Sequence, residues 1–75
     1  MPINHRDGMF GIDCWENAKG VGDSDSIEYS DNAQELRDRA KTLLKGGRFK
    51  YIVLYHWNAG ADDWDELEEF GPDDL

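Results

Sequence analysis

The chain has 75 residues, 39% of them hydrophobic, 12% aromatic and 33% charged. That is enough for one domain and too apolar and ring-rich for a wholly disordered chain. No apolar run is long enough to cross a bilayer, the first ten residues lack a secretory apolar stretch, and one cysteine excludes an internal disulfide framework. The expectation is a cytoplasmic protein. At this length apolar burial and chain entropy nearly cancel, each on the order of 110 kcal/mol, so self-association into a homodimer is an expected way to add buried area.

The net charge of −9 is unevenly placed. Residues 1–60 carry eight bases against nine acids, whereas residues 61–75 carry eight acids and no base. A segment of that sign repels phosphate, which argues against nucleic-acid binding, and attracts a basic protein surface. A solubilising tail is the simpler use of the same residues. Mimicry of nucleic-acid charge is a narrower one.

In chain order, residues 1–9 mix turn formers and charges without a period and read as a loose arm. Phe10, Ile12 and Cys14 alternate with Gly11, Asp13 and Trp15, which suggests a short strand. A loop follows at Gly20 to Asp25, and Ile27 and Tyr29 flank Glu28 as in another short strand. Residues 31–45 read as a helix. Asp31 with Gln34, or Asn32 with Glu35, opens it; Ala33, Leu36, Ala40, Leu43 and Leu44 line one stripe; Gly46-Gly47 ends it. Glu35 and Arg39 form a favourable i, i+4 pair, and Arg37, Lys41 and Lys45 form a basic stripe on the exposed side.

Residues 49–57 read as the central strand, being β-branched and aromatic. One face carries Phe49, Tyr51, Val53, Tyr55 and Trp57; the other carries Lys50, Ile52, Leu54 and His56. Residues 62–70 suit either an acidic helix or a hairpin strand. As a helix, capped by Asp62, they set Trp64, Leu67 and Phe70 on one side. As a strand, Trp57 faces Trp64 and Leu54 faces Leu67, with Glu66 and Glu68 beside Trp64 and Phe70 on one face. The helix separates apolar from acidic more cleanly and is the favoured reading. Residues 71–75 then form an acidic tail.

The whole reads as a small single α+β domain. A two- to three-stranded sheet, with 49–57 central, packs on helix 31–45, and 62–70 docks as a C-terminal acidic helix or hairpin strand. No metal or cofactor motif is present. Asp23-Ser24-Asp25 lacks the further ligands of a calcium loop, and no phosphate-cradling glycine pattern occurs. His56 with Asp65 or Cys14 is the one arrangement with catalytic or ligand-binding potential, and it has no local signature. The favoured function is a non-enzymatic accessory or adaptor protein acting by protein–protein contact. Its partner would be a basic protein surface or a second copy. The contact residues expected are Tyr51, Tyr55, Trp57 and Trp64, with Asp62, Asp63, Asp65 and Glu66.

Overall fold

The computed structural model describes residues 9–17 and 23–71. Along them run β1 (Phe10–Trp15), β2 (Ser26–Ser30), α1 (Ala33–Lys45), β3 (Tyr51–Asn58) and β4 (Asp63–Phe70). The strands form one antiparallel sheet in the order β2-β1-β3-β4. The fold is a small α+β arrangement with four strands rather than two or three, and the expected helix over 62–70 is instead the strand β4, preceded by Asp62 in a turn. Of the expected arm, only Met9 is described; its carbonyl accepts from the Trp57 amide at 2.8 Å. Residues 1–8 and 72–75, and with them most of the expected arm and tail, lie outside the described residues.

Of the two helix starts open to the sequence, the one at Asn32 is used. Its side-chain oxygen accepts from the amides of Gln34 (3.0 Å) and Glu35 (3.3 Å), which satisfies two donors that the first turn leaves without a helical partner. Gly47 ends the helix at φ 81°, a left-handed conformation suited to glycine. Leu36, Ala40 and Leu44 bury the stripe against Ile12 and Cys14 of β1 and Ile52 and Leu54 of β3. Arg39 does not use Glu35 as its partner. Its Nε donates to both Glu28 oxygens on β2 at 3.1 Å, while Arg37 Nε reaches Glu68 on β4 at 2.6 Å. Arg37 thus leaves the expected solvated stripe. Each pair is half-exposed and contributes about 0–1 kcal/mol; together they fix the helix against both edge strands.

β4 closes the free edge of β3 through the turn Ala59 to Asp62. Asn58 Oδ1 accepts there from the Gly60 and Ala61 amides, and Asp62 takes φ 52°. The strand wins over the helix for two reasons. A nine-residue helix is marginal alone, and the ladder satisfies both the β4 backbone and the otherwise bare edge of β3. Trp57 faces Trp64 as the hairpin alternative requires, but Leu54 faces Glu68, not Leu67, because the register shifts between Leu54 and Tyr55. Leu67 is the extra residue of this bulge and is 46% exposed. The bulge also settles the alternation. Before it, Trp64 and Glu66 point away from the helix; after it, Glu68 and Phe70 point toward it, and Phe70 is 5% exposed in the core.

Phe49 likewise departs from the expected strand face. β3 begins only at Tyr51, and Phe49 turns into the helix-side core. The Phe70→Ala variant is expected to lose about 3–5 kcal/mol of stability, and Leu67→Ala about 0.5 kcal/mol or less, in urea denaturation. Equal losses would contradict the bulged register.

Candidate functional site

Among the described residues, the face of the sheet opposite α1 is lined by the sheet's own side chains. Strand alternation brings Gly11, Asp13 and Trp15 of β1 to it, with Ile27 and Tyr29 of β2, Tyr51, Val53, Tyr55 and Trp57 of β3, and Trp64 of β4. No described helix packs on this face. Trp15 and Tyr51 pair at one end, ring centroids 5.5 Å apart. At the other, Trp57 lies under Trp64 in an edge arrangement at 5.2 Å. Val53 and Trp57 are buried, while Tyr51, Tyr55 and Trp64 are half-buried. Ile27 and Tyr29, at 48% and 37% exposure, are among the most open large apolar side chains.

Between these lobes lies a recess of about 250 Å³, lined by Gly11, Asp13, Ile27, Tyr29, Tyr55 and Trp64. Its shape follows from register. Gly11 stands between Tyr29 and Tyr55, and a Cβ there would meet the Tyr29 ring at 3.1 and 3.3 Å, so a glycine lets that ring lie over β1. The β2 and β4 backbones are three strand spacings apart, about 14 Å. Tyr29 and Trp64 reach across that gap until their centroids are 5.9 Å apart, with Tyr55 beside Trp64 at 6.5 Å.

Asp13 sits between Ile27 and Val53 in the ladders, among these rings. Among the described residues its carboxyl has neither an ion-pair nor a hydrogen-bond partner. Burial raises it above the usual carboxylate range. Its charge in turn adds to the desolvation that raises the Tyr29 and Tyr55 hydroxyls. Acids also flank the β4 side. Glu66 is held above the ordinary range, chiefly by sharing a hydrogen bond with Glu69. Tyr51 donates to Glu69 and is pushed up to about 12 by desolvation and by that bond. The described cations belong to α1 or to the link after it, Arg48 and Lys50.

Of the expected contact residues, Tyr51, Tyr55, Trp57, Trp64 and Glu66 share this face. Asp63 and Asp65 belong to the opposite side of β4, and Asp62 lies in the turn. Asp13, Gly11, Ile27 and Tyr29 were not expected. The sign was a lone acid in the alternation of 10–15.

His56 leans on Phe10 at 4.9 Å between ring centroids. Asp65 stands opposite it, but the Asp65 carboxylate accepts from Asn58 at 3.2 Å. Cys14 is opposite Ile52, four residues from His56 along β3 or about 13 Å. Its buried thiol is pushed up to about 12, by desolvation first and then by Glu28 and Asp13, so it is a poor nucleophile. Asp25 accepts from the Glu16 amide at 2.8 Å and closes the β1–β2 loop. No group of three or more His, Cys, Asp or Glu placed to hold a metal occurs among the described residues. Nor is any described helix long and apolar enough to cross a membrane.

Compared with family models, with curated proteins and with solved structures, the chain finds no match in any of the three.

Because the carboxyl of Asp13 is harder to ionise in the folded state than in the unfolded one, it costs no stability in acid. It destabilises the fold as pH rises through its folded pKa. Asp13→Asn is therefore expected to unfold at a higher temperature than wild type at pH 7, with the two converging near pH 3. A variant less stable at pH 7 would show that the carboxylate serves the fold.

Proposed function

We propose that this protein is a non-enzymatic interaction module whose sheet face, opposite the helix, receives a positively charged segment of a partner protein. The observation that carries the reading is Asp13, a carboxyl without a described partner, set among Tyr29, Tyr55 and Trp64. A carboxylate costs free energy in apolar surroundings unless a cation joins it. Aromatic rings attract cations over their faces and bury much area at little rotamer cost. Glu66 and Glu69 on the same side extend the negative field that would draw such a segment in.

A second copy of the chain fits this face less well. A twofold contact would bring the faces that carry Asp13, Glu66 and Glu69 together, acid-bearing patch against acid-bearing patch. The β4 edge is protected in the same way. β4 carries Asp63, Asp65, Glu66, Glu68 and Glu69, and two such edges repel one another. The module is proposed to work in the cytoplasm, where the lone buried thiol of Cys14 stays reduced.

Titration of the labelled protein with blocked hexalysine is expected to move the amide signals of Gly11, Asp13, Tyr29, Tyr55 and Trp64, with affinity falling as salt rises. Hexaglutamate is expected to move none. Shifts confined to 62–69, or equal with both peptides, would overturn the reading.

A further inference from the structure

We infer that the recess around Asp13 is an anchor for one arginine side chain of the partner. This inference rests on the proposed basic-segment reading and names the group that reads it. The recess, at about 250 Å³, falls below the ~300–1,000 Å³ of sites for drug-sized ligands. It is a place for the end of one long side chain rather than for a cofactor.

Three cationic groups compete for such a place, and their chemistry separates them. A trimethylated ammonium suits aromatic walls but has no proton to donate. It would leave the Asp13 lone pairs desolvated and unbonded. A primary ammonium donates, but it is compact and strongly hydrated, and shedding that water opposes entry among rings. A guanidinium meets both demands. Its edge donates two parallel bonds to a carboxylate, and its weakly hydrated face stacks on an aromatic ring. The recess offers both halves of that recognition. The carboxyl of Asp13 lies at one wall, and the rings of Tyr29, Trp64 and Tyr55 form the others.

The titratable groups facing Asp13 are Tyr29 from β2 and Tyr55 from β3, both neutral near pH 7. No described cation competes for the carboxyl. Glu28 and Arg39 satisfy each other on the far side of the sheet, as do Glu68 and Arg37. Gly11 lets the Tyr29 ring lie over β1, which makes that ring a wall of the recess.

The test compares three blocked peptides of equal charge by calorimetry: hexalysine, hexalysine with its third residue replaced by arginine, and hexalysine with that residue trimethylated. The arginine peptide is expected to bind about fivefold or more tightly than hexalysine, and the trimethylated one no better than hexalysine. Asp13→Asn is expected to erase the arginine advantage while leaving residual, salt-sensitive binding of all three. Equal affinities for the three peptides, or an arginine advantage that survives in Asp13→Asn, would overturn the anchor and leave the basic-segment reading standing. A trimethylated peptide that binds tightest would replace the guanidinium by a methylated cation. Absence of binding by all three would overturn the basic-segment reading and the anchor with it.

Discussion

One helix of thirteen residues covers one face of a four-stranded sheet, and no other described helix is there to cover the second. That constraint organises the molecule. On the covered face the solution is ordinary: Ala and Leu of α1 against Ile12, Cys14, Ile52 and Leu54, with Phe49 and Phe70 filling the ends. On the other face no described helix packs. The sheet shields Val53 and Trp57 with rings that lean across neighbouring strands, and those same rings enclose Asp13. A core needs no carboxyl at that position. Its presence on this face is what the proposed recognition of a cation rests on.

The bulge at Leu67 lets β4 serve both faces. Without it, Trp64, Glu66, Glu68 and Phe70 would share one side, and either a tryptophan or a phenylalanine would be stranded. With it, the first half of the strand closes the recess through Trp64, and the second half supplies Phe70 to the core and Glu68 to Arg37. The acidic excess is divided accordingly. Glu68 is absorbed into the clamp that orients the helix, whereas Glu66 and Glu69 stay on the open side beside Tyr51. A segment that is uniformly negative in sequence thus has two distinct roles in space.

Much of this was legible from the chain alone, where local signals agree. Helix 31–45 follows from its apolar spacing, its asparagine cap and its paired glycines. The strand 49–57 and its place inside the sheet follow from β-branched and aromatic content. The alternation in 10–15 gave β1, and Ile27 with Tyr29 gave β2. Residues 62–70 were misread because strand parity set acids beside aromatics on one face. Only a bulge resolves that conflict, and a bulge leaves no local mark. The recess was invisible for a related reason. Tyr29, Asp13 and Trp64 come from three strands, and only their register brings them together across Gly11. The contact residues on β3 were recognisable by type and alternation. Those on β1 and β2 needed the ladder.

Among the described residues Asp13 has no ion-pair or hydrogen-bond partner, and under the proposal an arriving cation supplies one, the form expected of a site held ready at some cost to stability. The most direct measurement follows the Asp13 side-chain carboxyl carbon by NMR through an acid titration, first alone and then with the arginine-bearing peptide bound. Expected is a midpoint above that of an ordinary aspartate in the free protein, falling when the peptide binds. An ordinary midpoint that the peptide does not move would contradict the central claim that this carboxyl is desolvated, unpaired and waiting for a positive charge.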